Sequence, residues 1–218
     1  NPHELVAFAE PLGEPPTAEA LRDDLIASVD GLSGEAAWVA LRIRYRRHLA
    51  RLAAWDLSRP SAIDALERVA ASLADLAGAA LDASLVVARG DAPFPAHEIA
   101  ATRLAIIGMG KSGARELNYI SDVDVIYVAE AGESIDGALS DQRAVEIATK
   151  LAMLTARGIM ELAVEPGLWE VDANLRPEGK AGALVRTLDS HLAYYDRWAS
   201  SWEFQALLKA RAMAGDLD

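Results

Sequence analysis

Apolar positions recur with the helical period of 3.6 over residues 17–32, 34–56 and 59–89, where Ala and Leu alternate with charged residues. Three amphipathic helices are predicted there. Ser33, Ser58 and Pro60 mark the breaks between them, and the run Gly90-Asp91-Ala92-Pro93-Phe94-Pro95 reads as a linker that ends the last one. Beyond it the pattern changes to short β-branched runs. Leu104-Ala105-Ile106-Ile107 and Val123-Asp124-Val125-Ile126-Tyr127-Val128 predict strands, as does the stretch from Trp169 to Pro177. The turn Gly179-Lys180-Ala181-Gly182 before Ala183-Leu184-Val185 reads as hairpin-like. Residues 136–162 return to the helical period, and residues 190–214 predict one or two terminal helices. The expected fold is α+β, with a helical region over 1–92 followed by a mixed-sheet catalytic domain over 93–218. No internal repeat is visible.

Composition narrows the chemistry. Hydrophobic residues make up 52% of the 218-residue chain, enough for a substantial core. A formal net charge of −12 opposes broad nucleic-acid binding, which rests on cations meeting phosphates. The absence of cysteine excludes disulfides and thiolate metal sites. No uninterrupted apolar run is long enough to span a bilayer and no secretory signal is present, so a soluble, cytoplasmic, monomeric protein is expected. The first residue is not Met, and a piece of a longer polypeptide is expected.

The densest chemical signal lies between Gly108 and Val128. Asp122 and Asp124 stand two apart at the edge of a strand, so pleating puts both carboxylates on one face. Two like charges there call for a cation. Mg²⁺ takes one or two carboxylates together with substrate phosphates and keeps water in the rest of its shell. Asp172, on the predicted strand from 169, offers a third acid, and three would allow the two-metal arrangement used in phosphoryl and nucleotidyl transfer. Gly108, Gly110 and Gly113 form a turn whose backbone donors suit phosphate oxygens. Lys111 and Ser121 sit within reach of the same phosphate or of metal-bound water.

Two familiar glycine motifs are excluded. Gly108, Gly110 and Gly113 spell the dinucleotide fingerprint, with Glu130 near the ribose-acid position, but only residues 114–121 separate the last glycine from the next strand. A parallel crossover needs about a dozen residues. The two strands are therefore expected to be antiparallel or mixed neighbours. The phosphate-loop ending Gly110-Lys111-Ser112 lacks its opening glycine, since position 105 is Ala105.

The order Gly-Met-Gly-Lys-x-Gly-x-Arg-Glu-Leu-Asn from Gly108, Ser-Asp-x-Asp from Ser121, Val-Asp-x-x-Leu-Arg-Pro-x-Gly-x-x-Gly from Val171, and Trp202-Glu203-Phe204-Gln205-Ala206-Leu207-Leu208-Lys209-Ala210-Arg211 resembles the bifunctional glutamine synthetase adenylyltransferase/adenylyl-removing enzymes. Ser112 and Ala114 depart from the residues that family often has there. The resemblance implies a nucleotidyltransferase fold of the DNA polymerase beta type. It also implies Mg²⁺ or Mn²⁺ as cofactor on Asp122, Asp124 and Asp172, and glutamine synthetase, ATP or ADP and inorganic phosphate as partners. Control by PII signalling protein is implied through the full-length enzyme. Tyr194-Tyr195 and the wording of 202–211 look more like the N-terminal, adenylyl-removing copy than the C-terminal copy that adds AMP from ATP. Transfer to another acceptor and a non-catalytic docking role are the more distant alternatives.

Arg176 follows Asp172 by four residues on the predicted strand and is a candidate phosphate contact, as are Lys209 and Arg211 on the last segment. Arg115 and Glu116 suit a helix-end ion pair. The basic run Arg42, Arg44, Arg46, Arg47 and Arg51 lies at helical spacing beside Leu41, Ile43, Leu49 and Leu52 and reads as a solvated face or a contact surface for another part of the enzyme. The histidines show no metal-ligand spacing.

Overall fold

The computed structural model describes residues 11–135 and 137–217. Three helices come first: α1 (Ala18–Val29), α2 (Gly34–Leu57) and α3 (Ala62–Asp91). Thr17 caps α1 by accepting a hydrogen bond from the amide of Ala20 at 3.2 Å, and Ser61 caps α3 through the amide of Asp64 at 3.4 Å. Gly90 does not end α3. The helix runs on to Asp91, and the break falls at Ala92, which Pro93 forces into an extended conformation. Helix α3 is long and apolar enough on average to cross a bilayer, despite Asp75 and Asp82, but most of that window is buried inside the protein, as befits a core helix.

A short helix α4 (Ala96–Ala100) leads into the sheet, built from β1 (Thr102–Gly108), β2 (Val123–Ala131), β5 (Val171–Asp172), β6 (Val185–Thr187) and β7 (Arg211–Gly215). Between them lie helix α5 (Gly110–Gly113), the small hairpin β3 (Glu133–Ser134) and β4 (Gly137–Ala138), helix α6 (Asp141–Met160), and helices α7 (Leu188–Arg197) and α8 (Ser201–Leu207). Strand order is β5-β2-β1-β7, with β6 also on β2. The short gap between β1 and β2 produces an antiparallel pair, with Gly108 opposite Val125 and Thr102 opposite Ala131. Both β5 and β6 run parallel to β2, so the sheet is mixed.

Four sequence expectations are corrected. The Gly179 turn is a single 3₁₀ turn joining two strands that both pair with β2, so it does not make a hairpin. The strand expected from Trp169 to Pro177 is ordered as strand only at Val171 and Asp172. Helix α6 begins at Asp141, where Ser140 caps it, rather than at 136. The terminal helices expected over 190–214 are present but stop at Leu207, and Arg211–Gly215 is a strand, β7, antiparallel to β1 with Gly108 opposite Arg211.

One face of the sheet is covered. Leu104 and Ile106 on β1 and Val123, Val125, Tyr127 and Ala129 on β2 join Ile147, Ala148, Leu151 and Ala152 of α6 in one buried cluster that extends into α1, α2 and α3. Small residues let α3 approach β7 closely: a Cβ on Gly78 would sit 3.1 Å from the carbonyl oxygen of Met213. Tyr127 is 1% exposed and its hydroxyl has no hydrogen-bond partner among the described residues. A buried hydroxyl without a hydrogen bond carries its full desolvation cost. Tyr127→Phe is therefore expected to leave stability unchanged or raise it by about 1 kcal/mol in chemical denaturation; a clear loss would reveal a partner for that hydroxyl.

Candidate active site

The site is assembled where β1 ends, β2 begins and β5 pairs. Asp124 is the second residue of β2, and Asp172 closes β5 directly opposite it in the parallel register. Paired residues of adjacent strands point to the same side, with backbones roughly 5 Å apart. Asp122 lies exposed just before β2. Burial raises the Asp124 carboxyl above its ordinary pKa, the charges of Asp172 and Asp122 push it further up, and Lys111 opposes them. Asp124 thus feels the charge of both other acids. Among the described residues no group of three or more Asp, Glu, His or Cys side chains is arranged to hold a metal ion by itself. The donor set that remains, two carboxylates on paired strands with a third nearby, fits Mg²⁺ completed by phosphate and water rather than a cation enclosed by protein alone.

Backbone hydrogen bonds lock the glycine turn onto β2. The amide of Met109 donates to the carbonyl of Asp124 at 2.9 Å, and the Ser112 hydroxyl lies within bonding distance of the carbonyls of Met109 at 2.7 Å and Asp124 at 2.9 Å. Ser112 is fully buried, which accounts for a polar residue at a position the sequence left without a role. Gly110 has φ +50° and its missing Cβ would lie 2.7 Å from Oδ2 of Asp124, so only glycine lets that carboxylate rest against the turn. Gly108 is equally confined: a Cβ there would meet the sulfur of Met213 at 2.8 Å.

The remaining candidates divide by what holds them. Lys111 is exposed and donates to Oδ1 of Asn118 at 3.0 Å, while Asn118 donates to the carbonyl of Ile120 at 2.9 Å, bracing the loop between α5 and β2. Ser121 donates to the carbonyl of Asp122 at 2.9 Å. Arg176 lies beyond the end of β5 and closes its loop onto the carbonyls of Ala173 (2.8 Å), Gly182 (3.2 Å) and Lys180 (3.3 Å). Arg211 donates to the carbonyls of Gly113 (3.0 Å) and Ser112 (3.2 Å) at the end of α5. Lys209 pairs with Glu116 at 2.6 Å, and Arg115, at φ +59°, pairs with Asp75 of α3. The ion pair expected between Arg115 and Glu116 is thus replaced by two pairs to distant elements, one reaching the terminal segment.

The motif order that carries these positions has counterparts across the whole chain. A family model described as glutamate-ammonia ligase adenylyltransferase matches residues 2–218. The chain belongs to the glutamate-ammonia ligase adenylyltransferase family. Among curated relatives, the bifunctional glutamine synthetase adenylyltransferase/adenylyl-removing enzyme of Leifsonia xyli subsp. xyli is 60% identical over 228 residues, covering 99% of this chain and 22% of the relative. The enzymes of the same name from Cutibacterium acnes and Streptomyces avermitilis are 56% and 54% identical, over 82% and 86% of this chain and 17% and 18% of theirs. The chain spans about a fifth of the length of the curated relatives it matches. Within the adenylyltransferase family, then, it corresponds to one portion of much longer relatives whose name carries two opposite activities.

Proposed function

We propose that this chain is an adenylyl-removing nucleotidyltransferase domain, acting in the cytoplasm, that releases AMP from an adenylylated tyrosine of glutamine synthetase by phosphorolysis, yielding ADP. The observation that carries the reading is the pairing of Asp124 with Asp172 across β2 and β5 beside the Gly110 turn. Asp124, Asp172 and Asp122 would hold Mg²⁺ or Mn²⁺, which supplies Lewis-acid stabilisation of charge on the transferring phosphoryl group. An oxygen of inorganic phosphate forms the new bond to the α-phosphorus as the bond to the tyrosine oxygen breaks. The electron pair leaves with that oxygen, which then takes up a proton; phosphate dianion needs no protein base to attack. First-turn amides of α5, from Gly110 to Ser112, have no carbonyl inside the helix to bond and are assigned to phosphate oxygens. Lys111, a cation whose charge acts on Asp124, is assigned to the same phosphate, with Ser121 beside it. Arg176 holds the loop after β5 and Arg211 the end of α5, and Lys209 ties the terminal segment to Glu116.

The reverse transfer, AMP from ATP to glutamine synthetase, is the second reading, because the relatives' name carries both reactions and the same acids serve either direction. Purified adenylyl-tyrosyl glutamine synthetase incubated with the protein, Mg²⁺ or Mn²⁺ and inorganic phosphate is expected to release ADP, and to release none when phosphate is omitted. AMP incorporation from ATP without any release would reverse the assignment. Neither reaction from the intact polypeptide would leave a docking role.

A further inference from the structure

Two arginines of the basic run on α2, Arg42 and Arg46, are turned onto backbone carbonyls of the same chain. Arg42 is 1% exposed. Its guanidinium donates twice to the carbonyl of Gly158, at 3.1 and 2.8 Å, and once to the carbonyl of Glu165 at 2.7 Å. Gly158 lies in the last turn of α6, where helix carbonyls have no further amide to meet and carry the negative end of the helix dipole. One helical turn along α2, Arg46 donates to the carbonyls of Pro166 (2.5 Å) and Gly167 (3.0 Å) and faces the Glu165 carboxylate at 3.4 Å. Between them Tyr45 accepts a hydrogen bond from the indole of Trp169 at 3.1 Å.

These contacts fall on the last turn of α6 and on the segment that leads from it into β5. The amide of Leu168 folds back onto the carbonyl of Ile159 at 2.9 Å, and the carbonyl of Glu170 accepts from Val123 at 2.9 Å, one residue before Asp124. Strand β5 itself is only two residues long, too short to define its own register against β2. We infer that Arg42, Tyr45 and Arg46 are positioning residues for Asp172: they clamp the segment from Gly158 to Trp169 to α2 and thereby hold the β5 carboxylate opposite Asp124. The helical region is thus part of the site's framework. This inference rests on the proposed role of Asp172 as a metal ligand.

Two readouts on the intact polypeptide separate the clamp from that role. Amide hydrogen exchange in Arg46→Ala is expected to rise at residues 165–172 while the helices α1 and α3 keep wild-type protection. Mn²⁺ binding, followed by the paramagnetic resonance signal of the free ion, is expected to weaken about tenfold in both Arg46→Ala and Asp172→Asn, with Arg46→Lys recovering part of the loss because a lysine still reaches one carbonyl. Arg42→Gln tests the buried cation, and Arg46→Ala carries the test if that variant does not fold. Unchanged exchange and unchanged Mn²⁺ binding in Arg46→Ala would overturn the clamp and leave the site intact. Faster exchange in Arg46→Ala, with Mn²⁺ binding indifferent to Asp172→Asn, would overturn Asp172 as a ligand and with it the functional purpose of the clamp.

Discussion

Asp124→Asn is expected to lower metal-dependent nucleotide release by at least about a hundredfold, since charge stabilisation and in-line positioning each supply several kcal/mol to such a transfer. Its effect on folding is expected to go the other way. In the protein without metal, Asp124 is half buried between the charges of Asp172 and Asp122, and its raised pKa says that the folded state disfavours the ionised form. A carboxyl held above its unfolded value destabilises the fold at neutral pH, where the unfolded chain ionises freely. Asparagine keeps the shape and removes that charge, so the variant is expected to melt at the wild-type temperature or above it. Lost turnover with undiminished stability separates a ligand from a structural acid. Near-normal turnover would sink the assignment of this site. Asp172→Asn is expected to lose activity similarly, but Oδ1 of Asp172 also accepts from the amide of Asn174 at 2.7 Å, so the shape of the β5 turn must be checked in that variant.

How much of this was legible beforehand depends on whether the deciding interaction is local. The helix start at Thr17 was legible, but the periodicity places those at Ser61 and Ser140 too early, although all three hydroxyls accept from an amide three residues on. The antiparallel pairing of β1 and β2 followed from a connection too short for a crossover, and alternation placed Asp124 away from the buried Val123, Val125 and Tyr127. The partners of these elements were less accessible. Arg211-Ala212-Met213-Ala214 consists of good helix formers, and it becomes a strand because β1 offers an open edge and α3 leaves room beside Gly78. Arg42 looks solvated in a row of arginines; its burial depends on carbonyls 116 and 123 residues further along the chain. The pairing of Asp124 with Asp172 required the same kind of distant contact, and the sequence indicated the residues without the register.

Gly113→Ala is expected to cost about 3 kcal/mol of stability, at the upper end for overpacking, and to abolish activity with it. Gly113 lies where the end of β1, helix α5 and the approach to β7 cross. A Cβ there would stand 2.0 Å from the carbonyl oxygen of Lys209 and 2.4 Å from that of Gly108. Both are backbone atoms, so no side chain can swing aside, and the carbonyls of Gly113 and Ser112 are themselves held by Arg211. Relief would require β7 to shift away from β1 or α5 to lift from β2. Gly110→Ala makes the useful contrast. Its φ of +50° costs an alanine roughly 1–2 kcal/mol, and the atom in its way is the end of the Asp124 side chain, which can rotate. That variant is therefore expected to fold with a modest loss and still fail in turnover, because the rotated carboxylate no longer stands beside Asp172. Denaturant titrations of the two variants, set against ADP release, distinguish a glycine required by the framework from one required by the reacting group. Wild-type stability in Gly113→Ala would mean that the crossing is looser than the contacts at Lys209 and Gly108 require.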